Sequence, residues 1–259
     1  MDIERARSTM IESQIRTWEV LDQRVLDTLT RVKREAYVPE AYRPLAFVDM
    51  EIPLGHGEVM LAPKLEARML QELTLKAGER VLEVGTGSGH MTALLASLAG
   101  HVYSLELHGD LSAAAQARLA AQGVPNVTLE VGDGALGWLR YAPYDAIVLT
   151  GSVPLLPPQF RAQLRPGGRL LAVVGDAPAM TARLVTCVTS SPLNHGGGPL
   201  NHSGGPLNHS GGALNGSGGA LNHSEGAWND TGGVWNEVGL FETCIVPLRN
   251  VPQPERFVF

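Results

Sequence analysis

The sequence predicts an α/β protein built on a mostly parallel sheet with helices on both faces. Three observations support this class: strand-like and helical segments alternate from residue 80 onward, the first of these strands runs directly into a glycine-rich turn, and 44% of the 259 residues are hydrophobic while 18% are charged. Alternating strands and helices produce parallel strands that are covered on both faces. This composition is sufficient for one substantial hydrophobic core.

The N-terminal residues 1–62 are predicted to form a helical cap and one further segment before the core. Apolar residues at helical spacing over 2–33 indicate two amphipathic helices before the break "YVPEAY". After Pro63 a further helix should run toward Gly78, because glycine commonly ends helices.

The core is predicted to comprise residues 63–191 together with 239–259. Seven strands are expected at 80–84, 101–106, 127–131, 144–150, 168–174, 182–189 and 240–248, with helices near 89–99, 110–122 and 157–164. The last two strands have no helix between them, so they should form an antiparallel hairpin.

A heptapeptide repeat interrupts that hairpin, from "PLNHGGG" to "VWNEVGL" across 192–240. Frequent glycine excludes a stable helix, and a period of seven does not match the usual solenoids. We therefore expect 192–238 to be a low-complexity, largely disordered insertion. Histidines recur within it at His195, His202, His209 and His223. A flexible glycine tract does not make them converge, so we expect no metal site.

The stretch "VLEVGTGSGH" joins the first core strand to a helix through Gly85, Gly87 and Gly89. Such turns present backbone N–H groups to a cofactor, although some are only tight connections. The dinucleotide fingerprint needs a glycine where His90 stands, so NAD fits poorly. The pattern E-x-G-x-G-x-G suits S-adenosylmethionine, with Thr86 in the same turn. Glu83 would either accept hydrogen bonds from the cofactor's amino group or hold the loop.

Two further acidic residues follow the next two strands. Glu106 ends the second strand, where a carboxylate can hold ribose hydroxyls; the alternative is a solvated strand-end carboxylate. Asp133 stands between Gly132 and Gly134 after the third strand and could reach an adenine amino group. The order of these residues along the chain predicts one cofactor crevice.

The chain resembles the protein-L-isoaspartate O-methyltransferases, a Rossmann-like class I methyltransferase family. The resemblance rests on "REAYVPEAYRPLAFVDMEIPLGHGEVMLAPKLEARML", "VLEVGTGSGHMTALLA", "VGDGALGW", "APYDAIVLTGSVPLLPPQFRAQLRPGGRLLAVVG" and "LFETCIVPLRN". It implies methylation of L-isoaspartyl carboxylates in damaged proteins. It further implies that residues 1–62 form a helical cap that covers the cofactor and a segment on the substrate side. It also implies a set of residues that contact S-adenosylmethionine: Glu83, Gly85, Gly87, Glu106 and Asp133.

One departure from the family pattern affects the expected reaction site. The family has Thr-Ile-Ser-x-Pro before the glycine loop, and this chain reads "VMLAP", so Val59 and Leu61 replace both hydroxyls while Pro63 remains. The catalytic residues are therefore unassigned. His56 in "LGHGE" is a candidate to orient the acceptor, or is simply an exposed loop residue.

Composition excludes several other classes. A net charge of −6 gives no general attraction to nucleic acid, and no apolar run is long enough to span a membrane. We expect a cytoplasmic protein whose Cys187 and Cys244 are reduced core thiols. Three functions remain: isoaspartyl methyltransferase, methyltransferase of the same fold on another acceptor, and cofactor-binding protein without turnover.

Overall fold

The computed structural model describes residues 2–188 and 234–254. Nine strands and five α-helices are formed in these ranges. The strands are β1 (Ile52–Gly55), β2 (Glu58–Met60), β3 (Arg80–Val84), β4 (His101–Glu106), β5 (Val127–Val131), β6 (Tyr144–Leu149), β7 (Leu164–Asp176), β8 (Ala179–Val188) and β9 (Val234–Thr243). The helices are α1 (Ile3–Met10), α2 (Gln23–Arg31), α3 (Pro63–Leu73), α4 (His90–Leu98) and α5 (Gly109–Ala121).

Seven strands form one sheet in the order β5-β4-β3-β6-β7-β8-β9. The first five pair in parallel, while β8 and β9 pair antiparallel to their neighbours. β4 and β5 lie on one side of β3 in the sheet, whereas β6, the next strand along the chain, lies on the other side of β3. This reversal creates a topological switch point at the carboxyl ends of β3 and β6, where open α/β sheets bind ligands. The predicted fold class is confirmed.

The N-terminal cap packs on α3 and α4 through an apolar face. α1 continues through a π-helical turn and a short 3₁₀ turn before α2, and buried residues of this segment join the core cluster that contains α3 and α4. The hairpin β1–β2 lies between the cap and α3, with Ile52 opposite Met60. Among the described residues, no helix has the length and apolarity needed to cross a membrane.

The structure corrects several element boundaries. α3 ends at Leu73 rather than near Gly78, because Thr74 takes a left-handed conformation (φ 45°) that closes the helix. The helix predicted near 157–164 is a 3₁₀ helix over Pro158–Gln163. Cys187 and Cys244 are free, as expected, but Cys244 is exposed rather than part of the core.

The last strand begins earlier than predicted. β9 starts at Val234, inside the final repeat, and pairs with β8 so that Val188 lies opposite Val234. Trp235 is buried in the core on one face of the sheet. Residues 234–238 are therefore part of the sheet rather than of the predicted insertion 192–238. The other repeats, with their four histidines, lie outside the described residues.

Candidate cofactor crevice

A crevice that is partly open to solvent lies at the carboxyl ends of β3, β4 and β6. Its walls come from the glycine loop, the ends of β4 and β6, the turn after β5, the hairpin β1–β2 and the segment 246–249. Six of the predicted cofactor residues line it: Gly85, Gly87, Glu106, Gly132, Asp133 and Gly134.

Gly85 is required by a close approach of two strand ends. Its φ is +100°, and a Cβ added there would lie 2.2 Å from Oγ1 of Thr150. The Thr150 hydroxyl group lies 2.9 Å from the Val84 carbonyl oxygen and 2.7 Å from that of Gly85. The turn is thus fixed from behind by β6, which leaves its other side facing the crevice.

Glu106 ends β4 with both carboxylate oxygens engaged by backbone donors. Oε2 accepts from the amide of Gly87 at 2.8 Å, and Oε1 accepts from the amide of His108 at 3.0 Å. The residue is 5% exposed, so its orientation is well defined. A carboxylate has about four lone-pair sites, and therefore each oxygen retains capacity for one more donor from the crevice. A pair of adjacent hydroxyl groups matches this arrangement.

Asp133 lies in the turn after β5 and connects two sides of the crevice. Its Oδ1 accepts from the amide of Ala135 at 2.9 Å, which closes an Asx-type turn. Its Oδ2 accepts from the side-chain amide of Asn250 at 2.9 Å. The carboxylate therefore remains at the crevice wall and tethers the C-terminal segment.

Three of the predicted cofactor residues lie behind the crevice instead of lining it. Glu83 is fully buried, and its Oε2 accepts from Thr92 at 2.5 Å and from Ser104 at 2.6 Å. Thr86 is buried with its hydroxyl 2.6 Å from that of Ser104, and Gly89 caps α4. These contacts correspond to the loop-holding role considered for Glu83.

Burial changes the protonation of Glu83. Removal of the carboxyl group from water raises its pKa to about 8, against the opposing hydrogen bonds from Ser104 and Thr92. Glu83 is consequently neutral in the folded protein at pH 7. A neutral carboxylic acid is a poor partner for a cation, which favours the loop-holding alternative for Glu83.

The wall formed by the hairpin β1–β2 is mostly apolar. Leu61 and Val59 line the crevice, and Leu61 is 5% exposed. At the rim, Glu58 accepts from Nε of Arg249 at 2.9 Å. These two residues link the hairpin to the C-terminal segment across the opening of the crevice.

His56 lies outside the crevice wall. Its Nε2 is 2.9 Å from Asp110, and its ring stacks on that of His108 with centroids 4.1 Å apart. Its side chain is 42% exposed. His56 thus occupies the exposed turn between β1 and β2, where its ring contacts the crevice-lining His108.

Sequence reasoning missed the C-terminal segment. The prediction placed 240–248 in the last strand, but β9 ends at Thr243 and residues 246–249 line the crevice. This segment runs beside the end of β6: the Ser152 amide donates to Val246 at 3.0 Å, and the Leu248 amide donates to Ser152 at 2.8 Å. Two prolines after Thr243, in "IVPLRNVP", were a signal that the strand ends.

The switch-point crevice, the glycine turn and the strand-end carboxylate define an α/β protein of the methyltransferase class. A family model described as protein-L-isoaspartate(D-aspartate) O-methyltransferase matches residues 5–189. The chain belongs to this family.

Similar proteins agree with this assignment. A protein-L-isoaspartate O-methyltransferase 1 from Rhodopseudomonas palustris is 44% identical over 185 residues, covering 71% of this chain and 75% of that protein. One from Anaeromyxobacter dehalogenans is 48% identical over 159 residues, covering 61% of this chain and 76% of that protein. A Plasmodium falciparum crystal structure, assigned to the same activity and containing S-adenosyl-L-homocysteine, matches with a TM-score of 0.66 at 18% identity, covering 94% and 97% of the two chains. The last likeness concerns the fold.

Proposed function

We propose that the protein transfers a methyl group from S-adenosylmethionine to the carboxylate of L-isoaspartyl residues in damaged proteins. The observation that carries the proposal is the pairing of family membership with Glu106, whose two oxygens are held by backbone amides and keep capacity for a diol. Gly85 and Gly87 of the glycine loop line the same crevice, which provides further support for a bound cofactor. The residues that line the crevice therefore fit S-adenosylmethionine.

Each wall of the crevice has a part in the proposed binding. Glu106 would accept from the ribose hydroxyls, and Asp133 would lie near the adenine. The glycine loop would lie against the amino-acid portion, because Gly85 and Gly87 line the crevice and have no side chains to obstruct it. When bound, S-adenosylmethionine supplies an electrophilic methyl group on a sulfonium.

The chain's own contribution to the reaction is positioning and exclusion of water. An acceptor carboxylate is already deprotonated at neutral pH, so no general base is required. The side chains of Leu61 and Val59 would desolvate the acceptor and hold it in line with the methyl group. An oxygen–carbon bond forms as the sulfur–carbon bond breaks, and the products are a methyl ester and S-adenosylhomocysteine.

A second candidate is methylation of a different acceptor. The observation in its favour is the apolar wall at Val59 and Leu61, which offers no side-chain hydrogen bond to a carboxylate. An acceptor bound by apolar contact would suit this wall equally well.

The test compares two peptides that differ only in having an isoaspartyl or an aspartyl residue at one position. The proposal expects methyl incorporation into the isoaspartyl peptide and not into its counterpart. Equal incorporation would favour the second candidate. No incorporation in a protein that binds S-adenosylhomocysteine by calorimetry would contradict the proposal.

We place the protein in the cytoplasm, where free thiols such as Cys187 persist. Cell fractionation tests this location.

A further inference from the structure

Three buried polar side chains connect the cap, the apolar wall and the glycine loop. Arg34, Glu66 and His90 are each 2% exposed. The Arg34 guanidinium pairs with Glu66, and its other nitrogens donate to two backbone carbonyls: that of Leu61 at 2.7 Å and that of Ala46 at 3.0 Å. One planar group thus holds three separate segments.

His90 extends this set to the cofactor side. It is the first residue of α4, directly after the glycine loop, and its Nδ1 lies 2.8 Å from Oε2 of Glu66. Burial acts to raise the pKa of Glu66, but the charges of His90 and Arg34 outweigh it and hold that pKa below its usual range. Glu66 is therefore a carboxylate that only accepts, so Nδ1 of His90 carries the proton.

We propose that Arg34 is a positioning residue that fixes the backbone at Leu61, and that Glu66 and His90 couple this backbone to the glycine loop. The side chain of Leu61 lines the crevice while its carbonyl oxygen is bound from behind by Arg34. The guanidinium therefore helps to set the position of the apolar wall relative to the cofactor loop. The inference rests on the proposed function only for its activity measurement.

The geometry required for methyl transfer explains why the contact between Arg34 and Leu61 would affect the rate. In-line transfer needs reacting atoms about 3–3.5 Å apart, and a misplacement of about 1 Å can cost roughly 100-fold in rate. Lysine keeps the charge of arginine but cannot reproduce its rigid fork of donors. Arg34→Lys should therefore free the Leu61 carbonyl while it retains an ion pair with Glu66.

The chain provides a matched control in Arg169. This residue pairs with Glu79 through both terminal nitrogens, at 3.0 and 2.7 Å, and also donates to the backbone carbonyls of Leu73 and Asp145. It is 9% exposed. Arg169 lies beside the start of β3 and β6, at the end of the sheet opposite the crevice. Arg169→Lys therefore makes the same chemical change away from the site.

The experiment compares wild type, Arg34→Lys and Arg169→Lys in the full-length protein. Melting temperature, calorimetric affinity for S-adenosylhomocysteine, amide hydrogen exchange of 58–62, and kcat with KM for the isoaspartyl peptide are measured. We expect both variants to melt lower. Only Arg34→Lys should show faster exchange at 58–62 and about a tenfold lower kcat, with cofactor affinity within about twofold of wild type.

If Arg34→Lys and Arg169→Lys changed amide exchange at 58–62 or kcat equally, the inference would be overturned. The effects of the two variants would then reflect lower stability alone. If the wild-type protein were inactive on the isoaspartyl peptide, the proposed function would be wrong. The positioning role of Arg34 could still be tested, because the measurement of amide exchange requires no methyl acceptor. If Arg34→Lys does not fold, His90→Phe removes the Nδ1 donor and keeps a ring against Tyr37, 5.4 Å away. Faster exchange at 58–62 is then expected in His90→Phe, and unchanged exchange there would refute the coupling.

Discussion

Replacement of the buried Glu83 by glutamine should make the protein more stable at high pH. Glu83 lies on β3 beneath the glycine loop, fully buried, and burial raises its pKa from 4.5 to about 8. Below about pH 4.5 the group is protonated in both the folded and the unfolded chain. Between these two pKa values the unfolded chain releases the proton while the folded protein retains it, so stability falls as pH rises.

The size of this effect follows from the two pKa values. The difference is about 3.5 units, and each unit corresponds to about 1.4 kcal/mol, so the loss of unfolding free energy reaches about 5 kcal/mol once the pH exceeds the folded pKa. Glutamine has the same shape and does not titrate. Its carbonyl oxygen can still accept from Thr92 and Ser104.

Urea unfolding at about pH 5 and about pH 9 measures the effect. The unfolding free energy of Glu83→Gln relative to that of wild type should rise by several kcal/mol from the lower to the higher pH. Glu40→Gln makes the same substitution at an exposed position and controls for net charge. Affinity for S-adenosylhomocysteine should be unchanged, because Glu83 does not line the crevice. Parallel pH dependence in wild type and Glu83→Gln would show that Glu83 is ionised in the folded protein and that the reasoning is wrong.

Three further predictions concern the crevice and the repeats. Glu106→Ala should weaken binding of S-adenosylhomocysteine by about 1–3 kcal/mol in calorimetry, because hydrogen bonds to a charged group are lost. Unchanged affinity would remove the basis for a ribose site. Leu61→Ser should raise kcat/KM on isoaspartyl peptides about tenfold, equivalent to about 1.4 kcal/mol, because the new hydroxyl can donate to the acceptor carboxylate. An unchanged kcat/KM would place residue 61 outside the reacting centre. Replacement of 189–233 by a turn of about four residues should leave stability unchanged or raise it by up to about 2 kcal/mol, since loop closure becomes easier. A large fall in melting temperature would instead mean that the repeats pack. Extending the deletion through 238 should destabilise the protein, because Trp235 is buried.

The strands of the core were predictable because their apolar runs are bounded by turn residues. β3, β4 and β5 have the predicted bounds, and each is followed by the glycine or acidic residue that the crevice uses. The carboxyl ends of parallel strands share one edge of the sheet, so chain order alone brought Glu106 and Asp133 together.

Other features depended on tertiary contacts that no local pattern encodes. The direction of the Glu83 side chain is set by the hydroxyls of Thr92 and Ser104 on neighbouring elements. The start of β9 was missed because its repeat motif resembles the preceding tract, although pairing with β8 overrides that resemblance. The Arg34–Glu66–His90 set joins residues up to 56 positions apart, and Arg34 has no sequence signal of its own.

Mass spectrometry of the reaction product tests whether the protein methylates isoaspartyl carboxylates. The protein is incubated with S-adenosylmethionine and an isoaspartyl peptide, and the peptide is sequenced by fragmentation before and after mild base. We expect the isoaspartyl residue to gain one methyl group that base removes, as a methyl ester would. A peptide without a new methyl group, or with a base-stable methyl group on another residue, would contradict the proposed function.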